Sequence, residues 1–239
     1  MDDKGTAIDE RAMEGRTTCP FMRSALKAGL LEFDGKTAPQ DRLRDLLGGG
    51  LNGLGQVAKF FARRNHTTPD MERGRYDPVN LAGSRGDHPG DSGMLTPRGF
   101  DAARFDAFTA HARTGPDGRR YMTSADLGAA IAEDLVRDPH SRVGPKDVFF
   151  GNDMRNSAGE FGLLLEAFGR ELPDGPDRGE KAVAVDDMRL LFERSEFPAG
   201  WRETVARSSA LGWTMVSFGL SGFGGIYGAV REAYARLRG

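Results

Sequence analysis

Apolar residues recur at the spacing of one helix face in segment after segment of this chain, and glycine- and proline-rich stretches separate those segments. This pattern constrains the fold more than any other feature. It asks for helices whose apolar stripes meet in a shared core, joined by long irregular connections. The 33 glycines and 12 prolines among 239 residues are many for a helical protein and supply those connections. A chain of this length can bury a sizeable core in one domain. Its one cysteine excludes an internal disulfide, so packing has to hold the fold together.

The first periodic run, Pro20 to Leu31, places Phe21, Met22, Ala25, Leu26, Leu30 and Leu31 near one face and predicts a helix. Arg42 to Leu47 continues the pattern, breaks at Gly48-Gly49-Gly50, and resumes from Leu54 to Phe61 with Val57, Phe60 and Phe61. Glycines there mark a kink or a close approach of backbone to a ligand. From Asn65 to Arg98 turn formers dominate, among them Asp77-Pro78 and His88-Pro89-Gly90-Asp91. So long a loop inside a compact domain is functional or disordered. Helices are predicted again over Ala102 to Ala112, Ala125 to Val136, Ala158 to Phe168 and Val185 to Phe192. Only Lys181 to Val185 alternates like a half-buried strand. The expectation is a mainly α fold: a charged leader over 1–16, one helical domain over 17–204, and an apolar helical tail over 205–239.

Lysine and arginine number 33 against 35 acids, a net charge of −2, so no overall basic field attracts nucleic acid. The leader carries mixed charge and no apolar stretch, which argues against a secretory signal and, with a lone cysteine, makes the cytoplasm the default. Residues 208–230 hold no charge and include Trp213, Phe218, Phe223 and Tyr227. Their length suits a membrane span, and Gly224 with Gly228 forms a small-xxx-small pair, although the glycines and hydroxyls dilute the hydrophobicity. The stretch is therefore expected to contact a membrane, a partner protein or the domain itself. The loop between two helices at Arg113 to Asp126 invites comparison with a calcium-binding helix-loop-helix. With Gly118 at the sixth loop position, Arg113, Gly115 and Ser124 fall at the first, third and twelfth, where carboxylates are required. A turn at Asp117-Gly118 followed by a Ser124 cap is the reading this favours.

Cys19 lies in Thr17-Thr18-Cys19-Pro20, directly before the first helical run. Two threonines able to cap and a proline suited to the first helical position put the sulfur at a helix N-terminus. Unpaired backbone N–H groups and the positive end of the helix dipole favour a thiolate there. A thiolate can bind a metal or act as an axial haem ligand, while an ordinary buried cysteine packs as a small hydrophobe.

Three pieces of the chain together resemble the haem-thiolate peroxidase family, the group of chloroperoxidase and the unspecific peroxygenases. The first is Cys19-Pro20, its helix ending in Gly29-Leu30-Leu31, and then Asp34-Gly35-Lys36. The second is Gly99-Phe100-Asp101 to Phe108, followed by Tyr121 to Asp126. The third runs from Glu160-Phe161-Gly162 through Phe168-Gly169 to Phe192-Glu193-Arg194-Ser195-Glu196-Phe197-Pro198-Ala199-Gly200-Trp201, similar to the family's closing pattern. The resemblance covers residues 17 to 201. It implies a helical domain around haem b, with Cys19 as the axial ligand of the iron, Pro20 beside it, hydrogen peroxide as oxidant and a small organic substrate.

It also implies roles on the opposite face of the haem. Arg155 and Glu160 are similar in order to the family's arginine and acid-base glutamate, at a shorter interval; Ser157 to Glu160 equally fits a capping box. The family's glutamate-histidine-aspartate stretch, which helps bind a magnesium ion near a propionate, corresponds to a region where Asp87, His88 and Asp91 are not contiguous. His88 and Asp91 are the candidates there, beside the bland reading of a solvated Pro-Gly turn. Phe60, Phe61, Phe149 and Phe150 are candidate pocket walls and more ordinary core residues. His66, His111 and His140 carry no ligand spacing and are assigned to the surface. Two other classes stay open: a binding or membrane-associated protein that keeps the fold without peroxidase chemistry, and a helical interaction domain in which Cys19 is inert.

Overall fold

The computed structural model describes residues 20–30, 38–39, 75–76, 94–96, 99–137, 161–172 except 163 and 166, 179–203, and 226–238. In chain order these form helix α1 (Pro20–Lys27), strands β1 (Ala38–Pro39), β2 (Arg75–Tyr76), β3 (Leu95–Thr96) and β4 (Gly99–Phe100), and helix α2 (Ala102–Phe108), which tightens into a 3-10 turn at Thr109–His111. Then come β5 (Arg113–Thr114), β6 (Arg120–Thr123), α3 (Ser124–Arg137) and a helical stretch within 161–168. β7 (Arg170–Glu171), β8 (Lys181–Ala184), α4 (Val185–Arg189), which continues as a π-helical turn at Leu190–Arg194, and α5 (Ile226–Arg238) complete the set. Helix predominates, and antiparallel strands accompany it.

Each helix has a local cause. Asp101 caps α2 by accepting from the Arg104 N–H at 3.0 Å, and Phe105 and Phe108, three apart, turn into the core. α3 opens on a capping box in which the Asp126 carboxylate accepts from Thr123 N at 2.9 Å and from Thr123 Oγ1 at 2.8 Å. The cap is therefore Thr123, not Ser124, which is the first helical residue. Leu127, Ile131 and Leu135 then repeat every four residues as a fully buried stripe. Burying each is worth about 1.5–3 kcal/mol, which exceeds what helix propensity alone supplies.

One core joins β3, α2, β6, α3, the 161–168 stretch, β8, α4 with its π-helical turn, and α5. Phe105 lies at its centre with ring centroids 5.4 Å from Phe100 and 6.4 Å from Phe192, and Phe108 stacks on Phe161 at 4.7 Å. The C-terminal helix belongs to the same core: Ile226, Val230, Ala233 and Tyr234 are buried in it as α5 packs along α3. Residues 226–230 of the apolar stretch thus lie against the domain, and among the described residues no helix is long and apolar enough to cross a membrane.

The sheet is the main departure from the sequence expectation. β8 lies where a strand was expected, although Ala182, Val183 and Ala184 are all buried instead of alternating, and β6 and the four-strand order β5-β6-β8-β7 do not follow from periodicity. β6 and β8 run antiparallel with Met122 opposite Val183, both fully buried. Arg113 faces Tyr121 on one side and Arg170 faces Ala182 on the other, so an approximate two-fold axis through Met122 and Val183 relates the two hairpins. A helix precedes each hairpin and a helix follows it directly. The fold is in this part a duplicated helix-hairpin-helix.

Candidate functional site

The duplication brings two carboxylates to equivalent places. Asp126 lies four residues beyond Met122, and Asp187 four beyond Val183, each in the first turn of the helix that follows its strand. Both are buried, with 7 % and 6 % of their surface exposed. A carboxylate at a helix start is favoured by the dipole, but burial requires partners. Arginines supply them. Arg113 donates from Nε at 3.0 Å and Nη2 at 2.9 Å to Asp126 Oδ1. Its counterpart Arg170 stands 3.8 Å from Asp187 Oδ2, and Arg119 reaches across from the first loop to Asp187 Oδ1 at 3.3 Å. The second unit has Ala184 where the first has Thr123, so no side chain caps α4, and Arg119 takes up the charge that a cap would have shared.

Calcium-binding helix-loop-helix pairs carry a carboxylate at the start of the second helix as the last loop ligand. Counting back from Asp126 as twelfth puts Gly115, Asp117 and Arg119 at the first, third and fifth positions, so a single further acid remains. Asp117 is engaged by its own loop: Tyr121 Oη donates to it at 2.6 Å and the Arg119 N–H at 3.0 Å, which hold its carboxyl below the usual range. Burial, and then the same bond, push the Tyr121 phenol up. Guanidinium groups occupy the role a cation plays in such pairs. Among the described residues no group of three acids, histidines or cysteines could hold a metal ion.

Replacing Asp126 by Ala removes the cap and the paired charge together. Loss of the cap costs about 1 kcal/mol and loss of hydrogen bonds to a charged group about 1.5–3 kcal/mol, but half-exposed Arg113 rehydrates, so the net expectation is about 2–3 kcal/mol. Asp186→Ala, at a side chain 75 % exposed, should change the urea midpoint by a small fraction of that. Equal shifts in the two variants would contradict this arrangement.

The second candidate region is the corner where the ends of the chain's three motif-bearing pieces meet. α1 packs on the π-helical turn, and Lys27 Nζ donates to Arg194 O at 2.8 Å and to Glu196 Oε1 at 3.3 Å. Phe105, from the second piece, contacts Phe192, and Arg189 bridges to Asp106 at 2.6 Å while lying 4.6 Å from the Phe105 ring. Beyond the turn, Phe197 stacks on Trp201 at 4.3 Å and leans toward Phe168 at 6.3 Å, and Arg170 Nη2 reaches Ala199 O at 3.3 Å.

Of the residues singled out from the sequence, Pro20 is described: it is half-buried and is the first residue of α1. Cys19, His88, Asp91, Arg155 and Glu160 lie outside the described residues, as do Phe60, Phe61, Phe149, Phe150, His66 and His140. His111 is half-buried rather than at the surface, with Nε2 3.2 Å from Glu133 Oε1. The residues that periodicity missed are Arg113, Asp126, Arg170 and Asp187. A sequence signal for them exists: Arg113-Thr114-Gly115-Pro116-Asp117-Gly118 and Arg170-Glu171-Leu172-Pro173-Asp174-Gly175 share the pattern R-x-x-P-D-G, with a longer loop after the second copy. No protein-family model matches the chain, and no curated protein sequence matches it.

Proposed function

We propose that the protein is a haem-thiolate peroxidase or peroxygenase, which uses hydrogen peroxide to oxidise or oxygenate a small organic molecule, with Cys19 as the iron's axial ligand. The observation that carries this reading is the convergence of the three pieces resembling that family: the helix that begins at Pro20 rests on the Phe192 to Glu196 segment, which in turn packs on Phe105. Segments far apart in sequence meet as parts of one site would have to.

The chemistry at the helix start fits a thiolate ligand. α1 begins at Pro20, so the unpaired N–H groups of its first turn lie next to residue 19 in the chain. Arg23, in the first turn of α1, is 9 % exposed and adds positive charge at that end of the helix. Both effects favour an anionic sulfur. Haem b, if held by such a sulfur, would supply the electron push that weakens a peroxide O–O bond. The chain's own remaining task is to move a proton from one peroxide oxygen to the other, and Glu160, with Arg155 five residues upstream in sequence, is the carboxylate proposed for it. His88 and Asp91 are proposed for the distal or propionate side, where a magnesium ion would need more oxygen ligands than these two side chains give.

Glu160→Gln tests the assignment. The amide keeps the size of the side chain and cannot shuttle the proton, so haem binding should stay at the wild-type level while peroxide turnover falls about 10²–10⁴-fold, as for loss of a general acid-base group. Unchanged turnover would leave Glu160 as the capping residue of the helix that follows.

A further inference from the structure

The tip of the β5–β6 hairpin is Pro116-Asp117-Gly118, exposed to solvent, with Gly118 at φ 78°. Aspartate before glycine is open to a reaction of the backbone itself, because glycine has no side chain to hinder attack by its own nitrogen on the aspartyl carboxyl. In that reaction the Gly118 nitrogen bonds to Asp117 Cγ. The carboxyl O–H and the amide proton leave together as water, and a cyclic imide closes. Water then reopens the imide at either carbonyl. One opening returns aspartate; the other gives isoaspartate, whose main chain runs through the side-chain carbons and is longer by a methylene. No oxidant or other reagent is consumed.

The folded loop holds back each group this reaction needs. Asp117 Oδ2 accepts from Tyr121 Oη at 2.6 Å, and Oδ1 accepts from the Arg119 N–H at 3.0 Å. Both bonds favour the ionised carboxyl and hold it below its usual range, and an ionised carboxyl has no O–H to lose as water. The phenol shares its proton without surrendering it, since burial and then the bond to Asp117 push it up. The attacking nitrogen is occupied as well: the Gly118 N–H donates to Gly115 O at 3.0 Å. Over both lies the Tyr121 ring, so close that a Cβ at residue 115 would sit 2.8 Å from its Cε2.

We infer that Asp117-Gly118 is a backbone modification site, where isoaspartate forms once the loop opens, and that the Tyr121 hydroxyl guards it. The inference does not depend on the haem reading. Its consequence lies in the pairing of the two hairpin units. Gly115 N donates to Arg119 O at 2.7 Å across the loop, and Arg119 Nη2 reaches Asp187 in the second unit at 3.3 Å. A methylene inserted between residues 117 and 118 displaces Arg119 from both bonds, so isomerisation parts the tie between the units.

The experiment incubates wild type and Tyr121→Phe as full chains at neutral pH, digests them, and reads isoaspartate by peptide mapping. Phenylalanine keeps the ring over Gly115 and removes only the hydroxyl. Asp34-Gly35 and Asp174-Gly175, the other two Asp-Gly pairs of the sequence, are read in the same digests as internal references. Residue 117 should isomerise about fivefold faster in Tyr121→Phe than in wild type, the factor that one hydrogen bond to a charged group in solvent governs, while the rates at residues 34 and 174 stay unchanged. A variant that isomerises at residue 117 at the wild-type rate overturns the inference. So does a slower variant, in which the phenol would have been assisting the reaction as an acid, and so does a rise shared equally by all three pairs, which would report a general loosening of the chain.

Discussion

Gly128→Ala should destabilise the protein by about 2 kcal/mol, although the same change in an isolated helix stabilises it by about 0.5–1 kcal/mol. The sign is reversed by the crossing of α3 and α5. A Cβ at residue 128 would collide with Ala229 Cβ and lie 2.8 Å from Val230 N and 2.9 Å from Ala229 C. Two of these atoms are backbone, so no rotamer change relieves the clash, and α5 has to withdraw. Overpacking of this kind costs about 1–3 kcal/mol, and here the upper end applies because Ile226, Val230, Ala233 and Tyr234 leave the core together. Subtracting the propensity gain leaves about 2 kcal/mol, or a fall in melting temperature of about 4–8 °C for a chain of this size. Ala229→Gly should rescue the variant in part, since it removes the Cβ contact and leaves the backbone ones. Calorimetry decides the matter: an alanine variant that melts above wild type would mean that α5 does not pack on α3 at Gly128.

The helices were legible in the sequence where burial is one-sided. Leu127, Ile131 and Leu135 are a plain four-residue stripe, and α3 spans Ser124 to Arg137 where the periodicity put Ala125 to Val136. α2 ends earlier than expected because its last turn tightens to a 3-10 form at Thr109, whose hydroxyl bonds back to Phe105 O at 2.9 Å. The sheet was not legible. β6 is four residues long, and its exposure falls steadily from Arg120 to Met122 and Thr123 instead of alternating, because one end meets solvent and the other enters the core. Pairing across the approximate two-fold axis is a non-local property that no window of eleven residues contains. The repeated R-x-x-P-D-G pattern did contain it, as a repeat rather than as a period.

The cap of α3 was misplaced by one residue for an instructive reason. Thr123 and Ser124 are both capping residues, and only the carboxylate three positions on distinguishes them: Asp126 completes a box with Thr123. Of the fates open to the apolar C-terminal stretch, the described end of it, from Ile226, takes the one of packing on the domain. Its uncharged run ends at Val230, and the helix continues through charged residues to Arg238, so its buried stripe of Val230, Ala233 and Tyr234 spans the boundary that composition suggested.

Cys19→Ser carries the largest expected effect on function. Serine is nearly the same size and can cap a helix as well as cysteine can, so α1 and its contacts with the π-helical turn should survive. The hydroxyl does not ionise under conditions where a cysteine at a helix start does. A neutral oxygen donates far less electron density to iron than a thiolate, so peroxide cleavage should be lost, not merely slowed, while the melting temperature of the haem-free protein changes little. Because the chain has no other cysteine, no second thiolate can substitute.

The most direct measurement is the ferrous carbon monoxide spectrum of wild type and Cys19→Ser, each loaded with one equivalent of haem b. Ligation by Cys19 predicts a strongly red-shifted thiolate-type Soret band in wild type that is absent from the serine variant. A wild type that binds no haem, or that binds it with a band identical to that of the serine variant, would contradict the proposed function.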